Sequence, residues 1–132
     1  MVVIDSCVII SLFIRDKFHE KAKEAVELLQ KKNAIAPSLL LPEVCGAIAR
    51  VTKEEKLAKE VLKLLMKWVE SGLLKLVEID EKLAKEAAKM AMKYEIKGAD
   101  AIFASLAASL DQELFTFDEK LKRKLRNAVK FY

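Results

Sequence analysis

Four of the 20 acidic residues stand in apolar stretches of the sequence rather than on charged helix faces: Asp5, Glu43, Asp100 and Asp118. Burial of an isolated carboxylate is costly, so each of these side chains needs a partner, a metal ion or a raised pKa. Taken singly, each could be an ordinary acid at the start of a helix. Taken together, they are four anions that the folded chain could bring to one place.

The chemistry expected of such a cluster is that of a divalent metal ion. Clustered carboxylates without a counterion repel one another, and some would stay protonated near neutral pH. An all-oxygen ligand set suits Mg²⁺ or Mn²⁺ rather than zinc. Such an ion with open water positions favours phosphodiester hydrolysis, because it polarises the phosphate, lowers the pKa of the attacking water and neutralises the leaving oxygen.

Two hydroxyl residues accompany the acids along the chain. Ser6 follows Asp5 directly, and Thr116 lies two residues before Asp118. Either hydroxyl could hold a carboxylate or a metal-bound water, and either could equally be a local turn residue.

The segments that must position these acids alternate between strand and helix patterns. Three segments with the same helical apolar spacing are predicted helices: 18–29, 57–68 and 83–94. A fourth, 100–110, is apolar nearly all round and is predicted to be the most buried helix. Five short apolar runs are predicted strands: 2–4, 34–36, 74–79, 113–117 and 128–132. This alternation indicates an α/β fold with a parallel sheet covered on both faces.

The acids occupy similar places in this pattern. Asp5 and Asp118 come directly after predicted strands. Glu43 follows Pro42, a residue favoured at the first helical position, and Asp100 lies at the predicted start of the buried helix. Ligand sites of parallel sheets lie outside the carboxyl ends of the strands, so we expect all four acids at that edge.

Length and composition limit the classes of protein to consider. The 132 residues fit one domain, 1–132, and the hydrophobic fraction of 53% argues against disorder. Two cysteines, Cys7 and Cys45, cannot form a disulfide scaffold and are expected to be small buried thiols, and a single histidine excludes a mechanism that needs two. We recognise no signal peptide and no membrane span, so we expect a cytoplasmic protein with reduced thiols.

The net charge of +4 is concentrated near the C-terminus, in a basic run over residues 120–130. A basic surface favours polyanions such as nucleic acid, although a solvated helix face explains the run as simply. Arg15 and Arg50 are further candidates for phosphate contacts, and each could instead form a surface salt bridge.

Four motifs in this order and spacing resemble the PIN domain family, and more closely its stand-alone VapC-type toxins. They are Val3-Ile4-Asp5-Ser6, Leu41-Pro42-Glu43-Val44, the octapeptide DAIFASLA at 100–107 and LFTFDEKL at 114–121. No single motif is specific, but the set covers the whole chain. The resemblance implies a three-layer α/β/α sandwich with a five-stranded parallel sheet and a Mg²⁺- or Mn²⁺-dependent ribonuclease.

The resemblance also assigns roles and partners. The family's four metal-binding, catalytic acids fall on Asp5, Glu43, Asp100 and Asp118, and its supporting hydroxyls on Ser6 and Thr116. Ser6 replaces a Thr or Asn of many relatives but keeps a hydroxyl. The implied partners are RNA as substrate, a second copy in a homodimer, and, for a toxin, a small antitoxin protein that often inserts a basic side chain into the site.

Other functions remain open at this point. The chain could be a PIN protein of RNA processing rather than a toxin, or a non-catalytic module that binds RNA or a partner. A phosphoacceptor receiver domain would need paired acids after the first strand, where Asp5 stands alone. A dehalogenase-type phosphatase would need Asp-x-Asp, and Cys7 occupies the third place.

Overall fold

Short apolar runs form the strands, and longer amphipathic runs form the helices, in the computed structural model, which describes residues 1–132. The strands are β1 (Val2–Ile4), β2 (Ala34–Pro37), β3 (Leu74–Val77) and β4 (Glu113–Phe115). The helices are α1 (Ser6–Phe13), α2 (His19–Lys32), α3 (Leu40–Thr52), α4 (Glu55–Ser71), α5 (Glu81–Tyr94), α6 (Gly98–Leu110) and α7 (Glu119–Leu125).

The four strands form one parallel sheet in the order β3-β2-β1-β4. The chain moves from β1 to β2 to β3 in one direction, then returns to place β4 on the other side of β1. Because parallel crossovers are right-handed, this reversal puts the helices of the return connection on the opposite face. Accordingly, α1 packs on α2 and α3, and α3 packs on α4, whereas α6 packs on α5, β1, β2 and β4. The predicted three-layer α/β/α sandwich is confirmed.

The core lies on both faces of the central strand. Val2, Val3 and Ile4 are all buried, as their uniformly apolar sequence predicts. Helix α6 has six buried residues, more than any other helix, and is sandwiched between the sheet and α5. The prediction that this segment is the most buried helix is therefore confirmed.

The predicted fifth strand, 128–132, is reduced to a single parallel bridge between Leu114 and Phe131. The backbone N–H groups of Ala128 and Val129 both donate to the carbonyl of Leu125, so the first part of the segment is a turn that ends α7. Only the last residues remain to pair with β4. The sheet thus has four strands, not five.

Two helix starts also differ from the sequence prediction. The sequence pattern does not predict helix α1, because its apolar residues Val8, Ile9 and Ile10 follow a strand without a polar face that would show a helical period. Helix α3 begins at Leu40, so Pro42 is its third residue rather than its first. None of the seven helices combines the length and the apolar character of a membrane-spanning segment.

Candidate active site

The four unusual acids are carried by four separate segments that meet at the carboxyl edge of the sheet. Asp5 is the N-cap of α1 directly after β1, and Asp118 is the N-cap of α7 shortly after β4. Glu43 lies in the first turn of α3 and Asp100 in the first turn of α6. Since β1 and β4 are the neighbours between which the sheet order reverses, this edge is the place where open α/β sheets form their ligand sites.

All four acids line one pocket of about 240 Å³, here called the acid pocket. Its full lining is Asp5, Ser6, Cys7, Ile10, Glu43, Ala47, Arg50, Asp100 and Asp118. The sixth residue singled out in the sequence, Thr116, is 1% exposed and contacts the pocket through Asp5. The structure therefore brings together every acid and hydroxyl that the sequence singled out.

Hydroxyl and thiol groups hold two of the carboxylates in place. Thr116 Oγ1 donates to Asp5 Oδ2 at 2.7 Å, and Cys7 Sγ donates to the same oxygen at 3.3 Å. Ser6 Oγ donates to Glu43 Oε1 at 2.8 Å. Both hydroxyls therefore bind carboxylates across the fold, over 111 and 37 residues of sequence, and Thr116 Oγ1 also accepts a local backbone N–H.

Asp118 is held differently. Its Oδ1 accepts the backbone N–H of Leu121 at 3.0 Å, which makes it the capping residue of α7. Its own backbone N–H donates to Thr116 Oγ1 at 3.2 Å, so one threonine connects the segments of Asp5 and Asp118.

Burial and mutual repulsion raise the pKa values of two carboxylates. Burial raises the pKa of Asp5, although the hydrogen bonds from Thr116 and Cys7 oppose the rise. Burial raises the pKa of Asp100 to about 6, and the negative charges of the three other acids add to the rise. None of the four acids has a Lys, Arg or His nitrogen within 4.0 Å.

The oxygen atoms of the acid pocket fit a hard divalent cation in kind. The carboxylate of Asp100 accepts no hydrogen bond from the protein, and the carboxylates of Glu43 and Asp118 each have one oxygen outside the hydrogen bonds described above. No three His, Cys, Asp or Glu side chains already stand close enough to hold an ion together. Side-chain rotation would have to bring the oxygens to a common ion, which short acidic side chains at helix starts allow.

Two features of the pocket were only partly visible in the sequence. Cys7 contributes a donor to Asp5, and burial together with the nearby Asp5 charge raises the pKa of its thiol to about 12, so the proton stays on sulfur. Both cysteines are free and half-buried rather than fully buried as expected. Arg50 lines the acid pocket, whereas Arg15 does not. The Glu43-to-Arg50 spacing of seven residues, two helical turns, carried that signal.

The comparisons with known proteins agree with this fold. The family model described as PIN domain matches residues 2–126. A search of curated proteins finds no match. A solved toxin–antitoxin complex from Klebsiella pneumoniae contains a similar chain, with 20% identity, 100% of this chain and 98% of that chain covered, and a TM-score of 0.70.

Two further solved structures are similar over nearly the whole chain. VapC20 of Mycobacterium tuberculosis, described as a toxin that cleaves the sarcin-ricin loop, is 14% identical, with 93% of this chain and 94% of that chain covered and a TM-score of 0.74. VapBC2 of Rickettsia felis, bound to a DNA fragment from its promoter, contains a chain that is 16% identical. The match covers 100% of this chain and 98% of that chain, with a TM-score of 0.71. At these identities the likeness concerns the fold.

Proposed function

This chain belongs to the PIN domain family, and from that premise we propose that it is a Mg²⁺- or Mn²⁺-dependent endoribonuclease with one catalytic domain, residues 1–132. One observation carries the proposal. Four carboxylates from four distant segments line a single pocket at the carboxyl edge of the sheet, and none has a cationic partner within 4.0 Å. Such a cluster is stabilised by a divalent ion.

The residues that would hold the ion, directly or through water, are Asp5, Glu43, Asp100 and Asp118. When bound, a divalent ion supplies Lewis-acid polarisation of the phosphate and acidification of a water molecule. Thr116 and Cys7 fix the carboxylate of Asp5, and Ser6 fixes that of Glu43. These donors limit the rotation of Asp5 and Glu43, so the rotation that brings the oxygens to a common ion is left mainly to Asp100 and Asp118.

We also propose a biological setting. The chain acts as the toxin of a toxin–antitoxin pair, forms a homodimer in the cytoplasm and is inhibited by a small antitoxin protein. Support comes from its fold, which is similar to chains of toxin–antitoxin complexes from Klebsiella pneumoniae and Rickettsia felis. An acidic pocket open at the surface suits a basic antitoxin side chain as well as a metal ion.

The test is cleavage of defined RNAs by the parent protein and by Asp5→Asn and Asp100→Asn variants, with Mg²⁺, with Mn²⁺ and with a chelator. We expect both substitutions to lower the cleavage rate by more than about 100-fold, since loss of even an outer-shell partner costs 10–100-fold. The chelator should abolish cleavage by the parent. Asp111→Asn is the matched control, because Asp111 is exposed and lies outside the acid pocket.

The same variants should keep the fold. Removal of one charge relieves repulsion in the acid pocket, so both metal-free Asn variants should melt at or above the temperature of the parent. RNA cleavage by the Asn variants at the parent's rate would show that the catalytic site has been assigned to the wrong residues.

A further inference from the structure

A second concave site lies next to the acid pocket. It has a volume of about 260 Å³ and is here called the lysine pocket, lined by Glu95, Ile96, Lys97, Asp100, Asp118, Lys120, Leu121 and Lys124. Asp100 and Asp118 line both pockets, so the two pockets share a wall and a chain could pass from one into the other.

Three lysines from two segments surround this pocket. Lys97 is the N-cap of α6, Lys120 lies in the first turn of α7, and Lys124 lies one turn further along α7. Lys124 Nζ donates to the carbonyl of Glu95 at 2.9 Å, which ties α7 to the end of α5. Lys97 and Lys120 have no carboxylate within 4.0 Å, so their ammonium groups are available to an anion.

The charge balance of the lysine pocket depends on the metal site. Its lining holds three lysines against Glu95, Asp100 and Asp118. In the proposed function Asp100 and Asp118 are metal ligands, so the bound ion offsets their negative charges. Three lysines then face Glu95 alone, which makes the pocket cationic beside a site that takes a phosphate.

We propose that the lysine pocket binds the phosphate next to the cleaved bond of a single-stranded RNA, with Lys97 and Lys120 as its cationic contacts. The inference deepens the proposed function and rests on it. A strand whose cleaved phosphate lies in the acid pocket must leave it over some part of the rim. The wall formed by Asp100 and Asp118 leads directly to unpaired ammonium groups. Lysine binds phosphate as a point charge, so this contact positions RNA without reading its sequence.

The test is RNA binding by the double variant Lys97→Ala/Lys120→Ala. The probe is a short fluorescein-labelled single-stranded RNA, and its affinity is measured by anisotropy over a range of salt concentrations. Ca²⁺ replaces Mg²⁺, because carboxylate oxygens also bind this larger ion. For single strands the slope of log affinity against log salt is about −0.7 per neutralised phosphate. The double variant should bind more weakly than the parent, with a slope shallower by about 0.7, because the two lysines together neutralise one phosphate in the proposal.

The matched control is Lys63→Ala/Lys67→Ala, which removes the same charge from the exposed face of α4. Neither lysine forms an ion pair. Lys67 lies near the end of α4 that leads into the amino end of β3, away from the carboxyl edge of the sheet where both pockets lie. The control should keep the slope of the parent. An equal reduction of the slope in both double variants would mean that only net charge matters and would overturn the proposal.

Cleavage kinetics separate this proposal from the proposed function. Lys97 also lowers the pKa of Asp100, so the assay uses saturating Mg²⁺ at a pH above that raised pKa. There the double variant should raise KM for RNA and change kcat much less, because the lysines bind a phosphate that does not react. If the parent cleaves RNA and the double variant keeps its salt slope and KM, the nuclease stands and the phosphate subsite fails. If the parent does not cleave but the slope still falls, the lysine pocket binds RNA phosphate, and the nuclease together with the placement beside a cleaved bond fails.

Discussion

Asp5 and Asp100 line the same pocket but are stabilised in different ways. Asp5 is 7% exposed and receives two side-chain donors, from Thr116 and Cys7. Asp100 is only partly buried and receives none, and the charge of Lys97 offsets only part of the effect of burial and of the three other acids.

This difference predicts the pH dependence of stability of the metal-free protein. Burial and the nearby acids raise the pKa of Asp100 from 3.8 to about 6. Between these values the folded protein keeps a proton that the unfolded chain has released, so a rise in pH favours unfolding. Below 3.8 both states are protonated, and above about 6 both are ionised, so the effect is confined to this window.

The measurement is thermal melting in chelator over that pH range. We expect the melting temperature of the parent to fall relative to that of Asp100→Asn as the pH rises through the window, and the difference to level off above it. The curve of melting temperature against pH for Asp111→Asn should be parallel to that of the parent. Lys130 lowers the pKa of Asp111, so the titration of Asp111 changes stability at lower pH. Parallel curves for parent and Asp100→Asn would contradict the raised pKa.

Four helices end at a C-cap residue with a left-handed backbone, and the sequence indicates only one of these ends. The C-cap residues Lys53, Gly72, Glu95 and Asp111 all have left-handed backbone conformations. Gly72, with φ of 83°, is the one that a sequence pattern marks, because glycine takes this conformation without steric cost. Gly72 follows the last residue of α4, where a glycine indicates a helix end, whereas Lys53, Glu95 and Asp111 carry no such signal.

Two glycine-to-alanine substitutions should change stability in opposite directions. Neither Gly72 nor Gly98 has an atom within 4 Å of the position that a Cβ would occupy, so packing does not distinguish them. Gly72→Ala forces an alanine into a left-handed conformation and should destabilise by about 1–2 kcal/mol. Gly98→Ala, at the first position of α6, should stabilise by about 0.4–1 kcal/mol, because it restricts the unfolded chain. Urea unfolding of both variants measures the sign of each change in the free energy of unfolding. Destabilisation by both substitutions would refute the conformational explanation.

The sequence predicts those elements whose local pattern decides their structure. The apolar stripes of α2, α4 and α5 are visible because their other faces are charged, and β1 is visible because it is uniformly apolar. Helix α1 is not visible, because contacts with α2 and α3 rather than a polar face decide its structure. The prediction of a fifth strand over 128–132 is wrong, because its first residues form a turn after α7. That turn depends on the carbonyl of Leu125, which local sequence does not reveal.

The candidate site was predictable in composition but not in its hydrogen bonds. Carboxylates in apolar segments stand out in any sequence, so all four acids can be identified from it. The donation of Thr116 to Asp5 depends on β4 lying beside β1, and the donation of Ser6 to Glu43 depends on how α1 packs on α3. Such pairings across 111 and 37 residues have no local pattern to reveal them.

For the molecule as a whole, the sheet order is what assembles the site. The chain's return after β3 puts β4 beside β1, so the acids that follow these two strands become neighbours. Each half of the sandwich adds one more acid, Glu43 from the α3 layer and Asp100 from the α6 layer. A ligand that contacts all four acids therefore contacts both helical layers and stabilises their packing on the sheet.

Metal binding should accordingly stabilise the entire fold. A ligand at 100 times its Kd adds about 2.7 kcal/mol of stability by mass action. For a domain of this size that is a rise of roughly 10 °C in melting temperature. We expect Mn²⁺ or Mg²⁺ to raise the Tm of the parent and of Asp111→Asn at pH values above the raised pKa of Asp100. The rise should be absent in Asp100→Asn, and an equal rise in that variant would place the ion elsewhere.

The pairing of β1 with β4 joins the first and last strands of the sheet. During synthesis the ribosome therefore makes Asp5, Glu43 and Asp100 before the strand that completes their surroundings. A nascent or truncated chain that stops before Glu113 carries three of the four acids but lacks both Thr116 and Asp118. In the proposed function, a translating ribosome would thus carry no active nuclease until it had made and released the segment that contains Thr116 and Asp118.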